Sequence, residues 1–525
     1  MSPIILVTLV LFQVYQLEAA RILGVIPSAV RSHHIPFQPL WRELALRGHE
    51  VTVITTEPLN NSSLENLKEL DISYCYEIYK KHKVVEAMAS ENNSYYDIAA
   101  VFKKAFVECH EYLLSSPGIQ ELIHNKDIKF DLLIAEAQLP TMFAFAWRFK
   151  CPSIAIASLE PALQFHDSLG NLVHPLISPD PNLNIEDDLN MSFMDRAKSF
   201  FYILLYKHLV YNKAYPSYDV LMKKYFGEEL PTLKSIQDDI SIMLVGSNPL
   251  FNSMRPTNLN TISVGGGMHA QPYKKLPADL QTFLDEGEEG VIYFSLGSNI
   301  NLNLLTDNFK KAIVEAFAEV PYKVLLKMDG QLNNVSKNVL VRKWMPQQDI
   351  FRHKNIKLFI TQGGLQSLQE SVLNGIPLIG IPFFGDQFTN VNKMVKKGYG
   401  LKIDRSTITK NALVTAIKEV IQKPKYTETA QMMGKIFRDE EIPSLQRAVY
   451  WTEYVIRHKG AKHLRSPTVD MPAWKYYMLD VVGFLAFISL LIIVLIYLLI
   501  KVFIRLVIYI FARLFGKRKP KIKKN

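Results

Sequence analysis

Between Trp344 and Gln387 the chain reads WMPQQDI and then, after a short interval, FITQGGLQSLQESVLNGIPLIGIPFFGDQ. This segment joins a buried strand, a glycine turn, a helix start, a second strand and a polar Asp386-Gln387 pair, the parts from which a fold builds a nucleotide-sugar pocket. The apolar strand Lys357–Thr361 runs through Gln362 into Gly363-Gly364, and a helix begins near Gln366 with Ser367 in its first turn. Glycines let the backbone approach a ligand closely. The free N–H groups of a helix start offer partial positive charge to a diphosphate. Trp344 sits where NVLVRKW leaves its sheet, with Pro346 and Gln347 beyond it, so an indole face can stack on a base and an amide can hydrogen-bond to it. Glu370 follows Gln366 by about one helical turn, within reach of a ribose diol. Asp386 and Gln387 follow PLIGIPFF at its carboxyl end, where open α/β sheets place ligands. A carboxylate beside an amide suits sugar hydroxyls. Ser295 and Ser298 in FSLGS form a further strand-to-loop turn fit for phosphate.

Residues so far apart in sequence meet only if parallel strands bring their loops to one edge. RILGVIP reads as a strand, SAVRSHH as a loop, IPFQPLWRELALRGH as a helix and EVTVITT as a second strand, the βαβ opening of a parallel, doubly wound sheet. FDLLIAEA (Phe130–Ala137) supplies a third buried strand, followed by the helical TMFAFAWRF and by PSIAIAS. Strands apolar on both faces require helices on both sides. A second series begins at Gly290 with VIYFSLGS, a helix at Asp307–Glu319, and the strands YKVLLKM, NVLVRKW, IKLFITQGG, PLIGIPF and GLKI. Met268–Asp279, with two prolines and few core residues, is the linker. The fold class is α/β, two parallel domains with a cleft between them. The aromatic-rich helical stretch from Met194 to Phe226 is expected to pack against and line that cleft, with membrane-surface contact as its alternative.

The formal net charge of +10 invites a nucleic-acid partner, but its location argues against one. Residues 501–525 hold nine lysines and arginines and no acid, leaving the other 500 residues at about +1. MSPIILVTLVLFQVYQLEAA has the apolar run and small residues of a secretory signal peptide removed near Ala20, although a basic start is missing. Val481–Ile500 carries no charge and has the length of a bilayer-spanning helix. Its basic flank belongs in the cytosol and the body in the lumen. The stretch 502–515 is read as a continuation along the cytosolic interface, and Lys521 and Lys523 resemble a dilysine retrieval signal of endoplasmic-reticulum membrane proteins. The alternative is a plain basic stop-transfer flank. Cys75, Cys109 and Cys151 allow at most one bridge. Sequons stand at Asn60, Asn61, Asn92, Asn190 and Asn334, and no Cys/His spacing suits a metal. The divisions are a signal peptide (1–20), an N-terminal domain (21–267), a linker (268–279), a C-terminal domain (280–462), a juxtamembrane segment (463–480), a transmembrane helix (481–500) and a basic tail (501–525).

At WMPQ, FITQGGLQSLQE, GIPLIGIPFFGDQ and SHHIPFQPLWRELALRGHEVTV the chain resembles the animal membrane-bound UDP-glycosyltransferases, the UDP-glucuronosyltransferase family, and its arthropod members most. The resemblance covers residues 1–525. It implies two Rossmann-like domains facing a cleft in the GT-B arrangement, an acceptor-binding half followed by a UDP-sugar-binding half, with inversion at the anomeric carbon and neither metal nor cofactor beyond the UDP-sugar co-substrate. It places Trp344 on uracil with Gln347 bonded to it, Ser298, Thr361, Gln362 and Ser367 at the diphosphate with the turn Gly363, Gly364 and Gln366, Glu370 at the ribose, and Asp386 with Gln387 at the transferred sugar. Vertebrate members have histidine where Gln362 stands; glutamine can donate to phosphate but carries no charge.

The same resemblance puts the catalytic base on His33, at the carboxyl edge of the first sheet. An imidazole titrating near neutrality can take a hydroxyl proton as the new C–O bond forms. The alternative is an ordinary loop histidine, with His34 the other candidate; the distance to Arg47-Gly48-His49 favours His33. Glu136 stands where the family has an orienting aspartate, one methylene shorter.

The leading expectation is a hexosyltransferase acting on hydroxyls of small lipophilic acceptors, with UDP-glucose favoured over UDP-glucuronate. A non-catalytic lipophile-binding relative that keeps the UDP-sugar pocket is the alternative. An epimerase or hydrolase would leave the anchor and the large acceptor half without a purpose. Acceptor identity is not legible, and a homo-oligomer stays open.

Overall fold

The computed structural model describes residues 19–516 apart from 91, 92, 94, 184, 186, 189, 254, 271, 299, 301–303 and 331. Most of the expected signal peptide, the Asn92 sequon and the dilysine positions Lys521 and Lys523 lie outside the described residues.

The N-terminal half is built on seven parallel strands: β1 (Arg21–Ile26), β2 (Glu50–Thr55), β3 (Leu67–Asp71), β4 (Leu132–Glu136), β5 (Ser153–Ala157), β6 (Ile242–Val245) and β7 (Thr261–Ser263). Their order is β3-β2-β1-β4-β5-β6-β7, so the direction of winding reverses between β1 and β4. Pairing of Val25 with Ala135 sets the ends of β1 and β4 level, so the loops that leave them are neighbours. Loops leaving a sheet at such a switch point open a crevice. Strands β4 and β5 are buried at every position because helices cover both faces.

The second sheet is parallel throughout: β8 (Val291–Ser295), β9 (Lys323–Lys327), β10 (Val339–Arg342), β11 (Ile356–Thr361), β12 (Leu378–Gly380) and β13 (Gly400–Lys402), ordered β10-β9-β8-β11-β12-β13. Its reversal falls between β8 and β11, where Ser295 pairs with Thr361 and puts the FSLGS and QGG turns side by side. The helix Asp307–Glu319 begins at Thr306, whose side chain accepts from Phe309 N–H, and buries Phe309, Ile313 and Phe317.

Several features refine or depart from the sequence reading. SAVRSHH is not all loop: Arg31–His34 form one helical turn. The stretch 193–226 is nearly one continuous rod, Phe193–Leu209 and Tyr215–Phe226 joined by a π-helical turn. Tyr215, Met222 and Phe226 enter the first core, while Phe193, Met194, Phe200, Phe201, Leu204 and Leu205 are exposed. The rod enters the first core by its second half, its first half buries Ser199 and Ile203, and Tyr202 and Tyr206 reach the cleft. The helix Ser444–Arg457, drawn with the C-terminal half, sends Ala448, Val449 and Val455 into the same apolar cluster as Trp41 and Leu44. The chain thus returns to the first sheet after completing the second.

Residues 466–525 form a separate unit. Within it Leu479–Phe515 is a single helix of 37 residues, apolar enough to cross a membrane. At 1.5 Å per residue it is about 55 Å long, against a hydrocarbon core of about 30 Å. The expected span at 481–500 and the interfacial stretch after it are one unbroken helix.

Candidate active site

Both sheets present their carboxyl edges to one cleft of about 1490 Å³. On the N-terminal wall His33 projects from the short helix after β1, and Glu136 ends β4. The His33 Nδ1–H donates to Glu136 Oε1 at 2.5 Å, and Ser28 Oγ donates to the same oxygen at 3.0 Å. Burial raises the Glu136 carboxyl, but the charge and hydrogen bond of His33, with smaller help from His34 and Ser28, outweigh it and hold the group below the usual carboxylate range. With Nδ1 engaged, Nε2 is the nitrogen left for chemistry in the cleft. Glu136 Oε2 is buried without a hydrogen-bond partner.

His34 has a different fate. It is 1% exposed, with Nδ1 accepting from Thr55 Oγ1 at 2.8 Å and Nε2 donating to the Ser28 carbonyl at 2.8 Å. Both nitrogens are spent on structure, which separates the two adjacent histidines that the sequence left in competition.

On the opposite wall Trp344 is 56% exposed. Gln347 Nε2 donates to Glu370 Oε2 at 2.6 Å and to Ser367 Oγ at 3.1 Å, tying the three residues together. Two partners that sequence reasoning missed complete the cluster: Gln348 donates to Glu370 Oε1 at 2.9 Å, and His269 lies 3.4 Å from that oxygen. Gln348 directly follows Gln347 and could have been found; His269 arrives from the linker.

The turn after β11 brings only some of its residues to the cleft. Gln362, Gly364, Gln366 and Ser367 line it, as does Ser298. Thr361 does not: it is 1% exposed, and its Oγ1 accepts from the Gly363 N–H, so it shapes the turn. Gly363, at φ +91°, packs against Val391 and shapes it too. Gln366 reaches across the cleft, its Nε2 donating to the carbonyls of Ser158 at 3.1 Å and Ser32 at 3.3 Å. It is a strut between the halves more than a free donor.

Gln362 is almost buried, with Oε1 unpartnered. Its amide lies where Gly297 has no side chain: a Cβ on Gly297 would come within 2.2 Å of Gln362 Nε2, and Gly297 has φ +77°. Gly297→Ala should weaken UDP binding about tenfold by displacing that amide and straining the turn. Calorimetric titration with UDP checks it; an unchanged affinity would remove Gln362 from the donor site.

Asp386 and Gln387 begin the helix Gln387–Lys397. Gln387 Oε1 accepts from the N–H groups of Phe383 at 2.9 Å and Phe384 at 3.2 Å, so its carbonyl holds the loop and its NH₂ remains for a ligand. Asp386 Oδ2 accepts from Asn390 Nδ2 at 2.9 Å. Burial pushes its carboxyl above the ordinary value, against the Asn390 hydrogen bond and the nearby His33.

Residues 21–519 match the family described as UDP-glucoronosyl and UDP-glucosyl transferase. UDP-glycosyltransferase UGT5 of Dactylopius coccus is 34% identical over 492 residues, 91% of each chain. UDP-glucuronosyltransferase 2B7 of Homo sapiens is 30% identical over 473 residues, 87% of this chain and 88% of that one. Among solved structures, glycosyltransferase VinC in complex with DTDP superposes with a TM-score of 0.57 at 17% identity, covering 83% of this chain and all of that one. UDP-glucose: anthocyanidin 3-O-glucosyltransferase in complex with UDP gives 0.53 at 16% identity, with 83% and 99% covered. These structural likenesses carry the fold, GT-B, which the two facing parallel sheets describe independently. Full-length similarity at these identities, on a fold whose two sheet edges meet in one cleft, places the chain in the UDP-glucuronosyl and UDP-glucosyl transferase family, enzymes that transfer sugars from UDP donors.

Proposed function

We propose that the protein moves a hexose, glucose before glucuronate, from its UDP conjugate to a hydroxyl of a small lipophilic acceptor, with inversion at the anomeric carbon. The observation that carries this reading is the His33–Glu136 pair, 2.5 Å apart on the wall facing Asp386 and the Trp344–Glu370 cluster. In this mechanism His33 Nε2 removes the acceptor's proton as its oxygen attacks the anomeric carbon. The bond from that carbon to the β-phosphate oxygen breaks, and its electron pair leaves with UDP. Glu136 stabilises the resulting imidazolium and fixes the ring by its hold on Nδ1. Trp344 and Gln347 receive the base, Glu370 the ribose, Ser298, Gln362, Gly364 and Ser367 the diphosphate, and Asp386 with Gln387 the sugar. The transition state gathers positive charge at the anomeric carbon, which places a carboxylate at 386 usefully.

The lipophilic acceptor is supported by the N-terminal wall of the cleft, where Ile35, Tyr79, Val85, Met88, Phe102 and Tyr202 supply apolar surface. Residues 21–267 are assigned the acceptor and 280–462 the donor, with the helix Ser444–Arg457 lent back to the acceptor half. The helix Leu479–Phe515 supports a single-pass anchor, and we assign the body to the lumen of the endoplasmic reticulum and the basic end to the cytosol.

Membranes holding the full chain, incubated with labelled UDP-glucose, UDP-glucuronate and a panel of phenols, test the reading. A β-linked product from an α-linked donor is expected. Tight UDP binding without transfer to any acceptor would instead identify a lipophile-binding relative.

A further inference from the structure

Two cations meet over Trp344. The Arg31 guanidinium carbon lies 4.4 Å from the centre of the indole, and Lys327 Nζ lies 4.6 Å from it. They come from opposite walls: Arg31 from the helical turn that carries His33, Lys327 from the last position of β9. Cation–π contact holds each of them to the ring, but the two like charges, brought this close, repel each other.

Among the described residues Lys327 has no carboxylate partner, and Arg31 has one at the limit of ion-pair distance. Lys327 donates to the Gly297 carbonyl at 3.0 Å. The strands beside it bring Ser295, which is neutral, and Arg342, which pairs with Asp279 at 2.9 Å. Lys343, next to Trp344, pairs with Asp329 at 3.0 Å. Among the described residues the ionic contact of Arg31 is Glu57, at 3.8 Å, and Arg31 Nε is buried without a hydrogen-bond partner. Burial, aided by the charge of Arg31, pulls the Lys327 ammonium down to about 8. Charge concentrated this way, at a cost, marks a place for an anion.

The neighbouring groups say which anion. Ser298, Gln362, Gly364 and Ser367, the cleft-lining residues assigned to the diphosphate, are all uncharged. Lys327 is bonded to the Gly297 carbonyl, and Gly297 touches Gln362. The two cations therefore stand beside that neutral turn and beside the base platform. We propose that Arg31 and Lys327 form a clamp across the cleft that grips the diphosphate of the UDP donor, supplying the positive charge that Gln362 lacks. When the base takes the indole face, the cations leave the ring and turn to the phosphates. Arg31 then couples donor binding to the helical turn that holds His33. The inference rests on reading the edge of the second sheet as the UDP site.

Calorimetry on the full chain in detergent micelles, with UDP and uridine as probes, separates the two ideas. Lys327→Met and Arg31→Met should each weaken UDP binding about tenfold or more, because charge-assisted hydrogen bonds to phosphate are lost. Uridine binding should stay within about twofold, since the base platform is intact. At pH 8 the wild type should take up a fraction of a proton with UDP, because the diphosphate raises the lysine, and its affinity should fall as pH rises further. Lys327→Arg should retain UDP binding and lose the proton uptake, because a guanidinium is always charged. Equal losses for UDP and uridine would overturn the clamp, leaving the cations as mere partners of Trp344, and so would variants that bind UDP as the wild type does. If the wild type binds neither probe, the UDP site itself is wrong and the clamp falls with it.

Discussion

Replacing His33 by alanine will lower the transfer rate by about three orders of magnitude, the middle of the range a positioned general base supplies, while UDP affinity stays within about twofold. The separation follows from where the groups stand. His33 belongs to the wall built on β1 and β4, whereas Trp344, Gln347 and Glu370 are tied to one another on the other sheet. Removing the imidazole leaves those ties untouched. It also leaves the fold nearly untouched, because His34, and not His33, is locked to Thr55 and the Ser28 carbonyl. The measurement pairs single-turnover transfer with UDP titration. Transfer at the normal rate would remove His33 from the mechanism, and a parallel collapse of UDP binding would mean that the variant disturbs the whole cleft.

Glu136→Gln should cost transfer about a hundredfold or more, and Glu136→Asp less than about tenfold, because the charge on the bond to the imidazole is worth more than its exact reach. The carboxylate is ionised at neutral pH, its value held down by His33. Glutamine keeps a carbonyl for Nδ1–H but withdraws the charge that stabilises the imidazolium. Aspartate keeps the charge and draws it back by one methylene. Ser28 still offers its hydroxyl, and the family commonly uses the shorter acid. The sign with pH is fixed: a carboxyl lowered in the folded state contributes stability above its unfolded value near 4.3, and that contribution is lost as pH falls through the lower folded value. Glu136→Gln should remove this acid-sensitive part of the unfolding profile. Equal rates for both variants and the wild type would end the orienting role.

The strands that carry the site were legible because they are apolar on both faces: LGVI of β1, LLIA of β4, IYF of β8 and LFI of β11 admit little else. Three N-terminal strands were not. β3 reads LKELD and lies at the edge, half exposed, so its charges hide the pattern. β6 has four residues and β7, at the other edge, three, too short to show a period. In the site, the residue types near Gly363-Gly364 could be read, but not their directions. Thr361 turns inward and Gln366 crosses to the other wall because the turn is set by Gly363 and by packing on Val391, which are tertiary facts. Ser28, His269 and the Arg31–Lys327 pair enter only when distant segments meet.

The return of Ser444–Arg457 to the first sheet bears on how acceptor preference can be moved between relatives. A chimera joined anywhere near residue 267 would set a foreign helix against Trp41 and Leu44, and Arg47 would meet a stranger where it now bonds Glu453 at 3.1 Å. Such hybrids should express poorly for reasons unrelated to substrate. A donor of specificity has to contribute two pieces of chain, the one before the linker and the one after the second sheet, grafted together.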